Sequence, residues 1–405
     1  MNIIILNDFG YVNGGAGQIA LETAMSLARS GIHTHLFVGM GPIAKELISQ
    51  KNLQVTCLDQ YDILSDPNRV RAIYQGWWNL KAARCLSHIL GGYNKNSTII
   101  HVHTCQKVLS SSCIHAAKKL GFKVIYHLHD YGIICPNSGL YNYQSREICV
   151  RQAMGLQCIL SNCDSRHYVH KLWRCVRQFI QNNISKMLKH MDGYIAVSEF
   201  SYHIMKPYLS PFAKVKVISN PCPMNVSKRV LAEKNTAFIF IGRLSPEKNP
   251  VLLAKCARNI GAPVMFIGDG IEKEEIKKEN PDAVLCGWIP REELYTEIHK
   301  ARCLVFPSVW YETQGLVVQE MSAYGIPAIV SDVSAASEYI IDGYNGFIFK
   351  SNSEESLTMC MTKMLDDALV EKMGKNTFVT FHSKENTEKK YIQKLLDFYK
   401  EVLKG

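Results

Sequence analysis

The sequence predicts an α/β protein of two domains, each built on a parallel sheet covered on both faces. Three observations carry this. The chain has 405 residues, too long for one ordinary core. Short apolar runs alternate with helical stretches through both halves, the signature of parallel strands joined by crossover helices. A stretch opening on Ser219-Asn220-Pro221-Cys222-Pro223 and staying polar to Asn235 separates the two runs.

Taken in order, Ile3 to Leu6 reads as the first strand. A loop from Phe9 to Gly17 leads to a helix from about Gln18 to Ser30, which Gly31 ends. Strands follow at Thr34 to Val38, Gln54 to Leu58, Thr98 to Val102, Lys123 to His127, Tyr194 to Val197 and Val215 to Ile218. The second run places strands at Ala237 to Ile241, Val264 to Ile267, Ala283 to Cys286, Cys303 to Phe306, Ala328 to Val330 and Phe347 to Phe349. The last stretch, Glu385 to Leu403, is helical and amphipathic.

Composition narrows the function classes. The net charge of +10 suits a partner with phosphates, whether nucleotide, anionic lipid surface or nucleic acid. Zinc-finger, homeodomain and basic-zipper patterns are absent, so no nucleic-acid partner is expected. No stretch reaches the roughly 18 apolar residues of a membrane helix. The N-terminus has no basic leader and soon reaches Asp8, and fourteen scattered cysteines read as reduced thiols. A cytoplasmic protein is expected, with an optional peripheral seat at the inner face of a membrane.

Two stretches of the second half carry the chemistry. In the first, the strand ending at Phe306 runs through Glu312, Gly315 and Glu320 into a helix closed by Gly325-Ile326-Pro327. The first-turn amides of Gly315, Leu316 and Val317 lack helical acceptors and can hold a phosphate. In the second, the strand ending at Ile241 is followed by Gly242-Arg243-Leu244-Ser245-Pro246-Glu247-Lys248. A fork-shaped guanidinium and a point-like ammonium can stabilise a leaving diphosphate without a metal. Surface charges at a solvated helix start are the plainer reading of Arg243 and Lys248.

The spacing Glu, seven residues, Glu resembles the motif of retaining glycosyltransferases of the GT-B fold, family 4. Here Thr313 and Gln314 stand where the family usually has an aromatic and a glycine. The resemblance implies two Rossmann-like domains facing a central cleft, with the C-terminal helix returning to the N-terminal domain. Residues 1–220, completed by 385–405, would bind the acceptor, and residues 221–384 the nucleotide-sugar donor. It also implies that Glu312 contacts the donor sugar, that Glu320 contacts its ribose, and that Arg243 and Lys248 clamp the pyrophosphate. Gly268 and Asp269 match a turn at the donor-pocket floor, and Ile289 falls in the segment whose backbone reads the base. Gly14 and Gly15 match the family's glycine loop facing the donor phosphates. Alone they would read as a plain turn, because the third glycine of the dinucleotide fingerprint is missing.

His127 and His129 share one face of their strand, with His129 nearer its carboxyl end. The family often has a histidine there, which implies that His129 bonds the transferred sugar and that Asp130 orients it; a structural histidine is the plainer reading. His101 and His103 repeat the pattern one strand earlier and read as structural or acceptor-side. Cys135, Cys149, Cys158 and Cys163 crowd one loop, but their irregular spacing points to unrelated thiols rather than zinc. From Arg166 to Ile180 the chain is basic, with Val169, Leu172, Trp173, Val176 and Ile180 at helical spacing. Such a helix either packs these residues into a core or lays them on an anionic membrane, with Trp77, Trp78 and Lys81 extending the surface.

The expected activity is therefore metal-independent, retaining transfer from a nucleotide sugar, by preference a UDP-sugar, to a glycan or lipid-linked acceptor, with no cofactor. A UDP-sugar 2-epimerase of the same fold and a non-catalytic nucleotide-sugar-binding module are the alternatives. Donor alone, watched for an epimerised sugar, separates the first of these.

Overall fold

The computed structural model describes residues 1–224, 226–383 and 387–405, with the side chains of Arg291 and Glu292 excepted. The chain divides into two compact units. The first comprises Met1–Gly139, Val150–Asn220 and Glu388–Gly405; the second comprises Leu140–Cys149 and Pro221–Thr387.

The strands of the first half are β1 (Asn2–Phe9), β2 (His33–Met40), β3 (Leu53–Cys57), β4 (Thr98–Val102), β5 (Lys123–Leu128), β6 (Tyr141–Asn142), β7 (Glu147–Ile148), β8 (Gly193–Ala196) and β9 (Lys214–Val217). Seven of them form the first unit's sheet, in the order β3-β2-β1-β4-β5-β8-β9. All its pairings are parallel, and Ile4 of β1 sits between His35 of β2 and Ile100 of β4. Short β6 and β7 pair antiparallel and belong to the second unit. Sequence periodicity does not register two-residue strands, and the reading that kept residues 140–149 with the first half differs from the structure here.

The second unit contains β10 (Ala237–Ile241), β11 (Val264–Ile267), β12 (Val284–Gly287), β13 (Ala301–Phe306), β14 (Ala328–Ser331) and β15 (Gly346–Phe349). They form a parallel sheet in the order β12-β11-β10-β13-β14-β15. Alternate side chains feed two cores. Phe238, Phe240 and Phe266 pack on one face, with Cys303 and Val305. Ile239, Ile267, Leu304 and Phe306 pack on the other. Burial on both faces is why these strands read as unbroken apolar runs.

The final helix, Glu388–Leu403, joins the first unit. Its Tyr391, Leu395, Phe398 and Val402 pack with Ile3, Ile99, Ile125 and Ile195 of the sheet. A Cβ on Gly193 would lie 3.0 Å from the Phe398 ring, so glycine lets the helix approach. Truncating a buried phenylalanine such as Phe398 costs about 3–5 kcal/mol. The expected start of this helix at Glu385 lies outside the described residues.

In each sheet the chain reverses its direction of winding once, between β1 and β4 and between β10 and β13. Ligands of open parallel sheets bind at the carboxyl ends of the strands on either side of such a point.

Candidate active site

At the second unit's reversal point, Lys248 forms an ion pair with Oε2 of Glu312, and both side chains are largely shielded. The Trp310 indole N–H donates to the same oxygen at 3.0 Å. The Lys248 ammonium also lies 5.3 Å from the ring centres of Phe306 and Trp310, within cation–π range. Cation and carboxylate are thus held at the end of β13 by two aromatic rings. The spacing of Trp310 and Glu312, two residues apart after a strand, was the available signal for this partnership, and the sequence reading did not use it.

Gly315 caps the helix Leu316–Ala323 with φ of 76°. A Cβ there would meet the Ala336 Cβ at 2.8 Å, so the turn needs glycine on both counts. Leu316 and Val317 open the helix, and their amides precede its first internal acceptor. Glu312 is held in the loop before this helix by its carbonyl, which accepts from the Ala335 amide at 3.1 Å. Glu320 lies half-buried within the helix.

Arg243 follows β10 and is exposed, without a side-chain ion pair among the described residues. Its loop is shaped by two glycines of the next turn. A Cβ on Gly268 would sit 1.9 Å from the Gly242 carbonyl oxygen, and one on Gly270 would sit 2.1 Å from that of Leu244. The Leu244 amide donates to the Asp269 carbonyl at 2.9 Å. Gly268 therefore underlies the loop that carries Arg243. The Asp269 carboxylate is exposed, pairs with Lys273 at 2.8 Å and accepts from the Gly270 amide at 2.6 Å. Lys273, then that amide, hold its pKa below the usual range. Ile289 packs partly buried against the core, while neighbouring Trp288 is 75% exposed.

The first unit holds a different site at its own reversal point. A cavity of about 560 Å³ is lined by Asp8 and Phe9 at the end of β1 and by His103 and Gln106 after β4. Gly14, with φ of 85°, caps the helix Gly15–Arg29 beside it, and Asn13, Ala16 and Gly17 reach the cavity. Asp8 is buried, and its carboxylate accepts four amides at 2.9 Å, from Gln106, Lys107, Val108 and Leu109. This organising acid was not recognised in the sequence, because its partners lie about a hundred residues away.

His101, His103, His127 and His129 form a ladder across β4 and β5. Nδ1 of His103 meets Nε2 of His129 at 2.9 Å, and Nε2 of His101 meets Nδ1 of His127 at 3.3 Å. Tyr399 of the C-terminal helix closes the far end, 2.7 Å from Nδ1 of His101. Burial keeps all four neutral, with His101 and His129 pushed down to about 3 and the other two also lowered. Among the described residues, His101, His103 and His127 are spaced closely enough to share a metal ion. Nε2 of His101 and Nδ1 of His127 already face one another at 3.3 Å. Next to His129, Asp130 accepts from the Gly132 amide at 2.7 Å. The walls of the cavity raise its pKa, against the pull of that amide and of Arg177.

Cys135, Cys158 and Cys163 are buried in the first unit, and Cys149 lies in the second. Sγ of Cys163 accepts from the Lys171 ammonium at 2.9 Å. The basic segment forms the helix Tyr168–Asn183, but not with the faces a core helix would show. Lys171, Arg177 and Gln178 are buried, while Val169 and Phe179 are 71% and 56% exposed. Trp77 stacks on Trp173 at 6.3 Å and donates to its carbonyl.

The profile described as Glycosyltransferase Family 4 matches residues 13–225, and that of Glycosyl transferases group 1 matches residues 225–379. A UDP-Gal:alpha-D-GlcNAc-diphosphoundecaprenol alpha-1,3-galactosyltransferase of Escherichia coli is 25% identical over 48% of this chain and 56% of its own length. A lipopolysaccharide 1,2-N-acetylglucosaminetransferase of Salmonella typhimurium is 22% identical over 58% and 72%. A GDP-mannose-dependent alpha-mannosyltransferase of Corynebacterium glutamicum is 30% identical over 32% and 31%. The chain thus spans about half the length of the first of these relatives. Among solved structures, a sucrose-phosphate synthase of Thermosynechococcus elongatus superposes with a TM-score of 0.71 at 16% identity, covering 99% of each chain. Anabaena HepE in complex with UDP-glucose gives 0.68 at 15% identity, covering 99% of this chain and all of its own. The fold is that of the GT-B glycosyltransferases, and with a profile match over more than half its length the chain belongs to glycosyltransferase family 4.

Proposed function

We propose that this protein is a retaining glycosyltransferase that moves a sugar from a UDP-sugar to a glycan or lipid-linked oligosaccharide. The observation that carries the reading is the Lys248–Glu312 pair beside the Gly315 helix start. The donor diphosphate lies between Arg243, Lys248 and the amides of Leu316 and Val317. When it arrives, Lys248 turns from Glu312 to the phosphate, and Glu312 is released to the hydroxyls of the sugar. Glu320 takes the ribose. Ile289 offers its backbone to the base, and Gly14 and Gly15 approach the phosphates. The bond from the anomeric carbon to the phosphate oxygen breaks, its electron pair goes to the diphosphate, and the two cations stabilise that charge without a metal. The acceptor hydroxyl attacks from the same face and passes its proton to the leaving phosphate. His129, neutral and fixed by His103, positions the sugar and the acceptor.

Residues 1–220 with the C-terminal helix are proposed as the acceptor side, and residues 221–384 as the donor side. Uridine is preferred because the E. coli relative is named for UDP-Gal and HepE is bound to UDP-glucose. No helix among the described residues is long and apolar enough to cross a membrane. The exposed apolar residues of the Tyr168–Asn183 helix support a peripheral seat on an anionic membrane surface. A thermal-shift panel of UDP-, GDP- and ADP-sugars, followed by product mass and anomeric configuration, tests the reading. Stabilisation by a UDP-sugar and an α-linked product from an α-linked donor are expected. Inverted product, or no response to any donor, overturns it.

A further inference from the structure

The cavity of the first unit is lined by nitrogen atoms with nothing to bond. Nε1 of Trp173, Nε of Arg177, Nε2 of Gln106, Nε2 of His103 and Nδ1 of His170 are all buried without a hydrogen-bond partner among the described residues, and all five residues line it. The Trp173 and Arg177 groups are donors in any protonation state. Leaving several buried donors unmet around one space is costly unless a ligand supplies oxygens.

Charge narrows the ligand. Arg69, Lys107, Arg166, Arg174 and Arg177 line this space with two carboxylates, Asp8 and Asp130, and Asp164, outside the lining, pairs with Arg174 and Arg166. Asp8 is already committed to its four amides. Arg177 is 8% exposed, donates only to the carbonyls of Gln106 and Pro136, and has no carboxylate within 4 Å among the described residues. Burial, then neighbouring Arg174, lowers its pKa to about 10, so the guanidinium stays charged at neutral pH. A buried cation whose neighbouring acid, Asp130, stands beyond ion-pair distance favours an anion. The mouth is apolar instead: Leu64, Ile73 and Val169 line the same space and are 63%, 37% and 71% exposed.

We propose that this cavity is the subsite for a phosphate or diphosphate group borne by the acceptor, with the apolar chain attached to it leaving over Leu64, Ile73 and Val169. The proposal rests on the reading of the first unit as the acceptor side and deepens it. The ligand chemistry is an acceptor-only oxyanion joined to hydrocarbon, as in a prenyl diphosphate.

The test uses the full chain carrying Arg243→Ala and Lys248→Ala, so that the donor clamp does not contribute. Calorimetric binding of farnesyl diphosphate, inorganic pyrophosphate and farnesol is compared. Farnesyl diphosphate should bind at least about tenfold more tightly than either fragment. Adding Trp173→Phe, which keeps a ring on Trp77 and removes one N–H, should weaken it severalfold. Adding Arg177→Met should weaken it at least about tenfold while leaving the melting temperature without ligand unchanged or higher, since the uncompensated charge is gone. Absence of binding, pyrophosphate binding as tightly as the prenyl compound, or equal binding to both added variants would overturn the proposal. Failure here with a normal donor panel on the wild-type chain would leave the transferase reading intact. Failure of that panel with intact prenyl-diphosphate binding would sink the transferase and keep the subsite.

Discussion

The two reversal points are built on the same sheet plan and solve opposite electrostatic problems. At β10 and β13 the principal cation and acid, Lys248 and Glu312, already neutralise one another. At β1 and β4 the acid Asp8 is consumed by four backbone amides, and the cation Arg177 donates only to carbonyls, with no carboxylate within 4 Å among the described residues. A prepaired site can open its pair for a ligand and close it again afterwards. A site with an unmatched buried cation favours whatever brings the missing charge. The difference teaches that one parallel-sheet plan supports either an exchangeable clamp or a standing demand for an anion.

The largest effect expected from breaking this contrast is at the prepaired site. Lys248→Ala should lower kcat about 100- to 1000-fold, as removal of a charge-stabilising donor does, with the melting temperature little changed. A steady-state assay with the responding donor measures it. A loss below tenfold would put the leaving-group charge elsewhere. Next is Gly315→Ala, which forces a Cβ against Ala336 in a left-handed turn. It should cost about 1–3 kcal/mol in urea unfolding and weaken nucleotide binding in parallel. Unchanged stability would show that the turn relaxes freely.

The first unit yields smaller effects. Val169→Asp with Phe179→Asp should reduce flotation with anionic vesicles about tenfold without lowering the melting temperature, because both side chains are exposed. Equal flotation would move the membrane face elsewhere. Last comes pH. His101 and His129 stay neutral in the fold, at about 3, and would titrate near 6.5 when unfolded. Their contribution is complete above about pH 6.5 and falls as the pH drops toward 3, because the unfolded chain takes up the protons. Both histidines belong to the first unit. Thermal unfolding followed from pH 7.5 to 5 should therefore weaken the first unit first, by a few degrees. A pH-independent transition would mean that the ladder is hydrated.

Much of the fold was legible before the structure. Thirteen strands appear where the sequence announced them, and central ones such as β10 and β14 read most clearly, since strands buried on both faces have no polar interruption to blur them. The β6–β7 pair was not legible, because two residues carry no period. The first helix begins at Gly15 rather than near Gln18, because Gly14 supplies the left-handed cap that lets it start early. Of the candidate residues, Gly315 was readable at its helix start, whereas the approach of Gly268 to the Arg243 loop came only from the structure. The basic helix was readable as amphipathic, but not which face would be outside.

Sequence alone determined the alternation of strands and helices, the two-part plan and the glycines at strand ends, because propensity and periodicity act over a few neighbouring residues. Only tertiary structure decided that Asp8 would serve residues 106–109, that Trp310 and Lys248 would share Glu312, and that Arg177 would be buried with no carboxylate within 4 Å among the described residues. Those outcomes depend on which charges meet after distant segments pack, and local pattern carries no record of that.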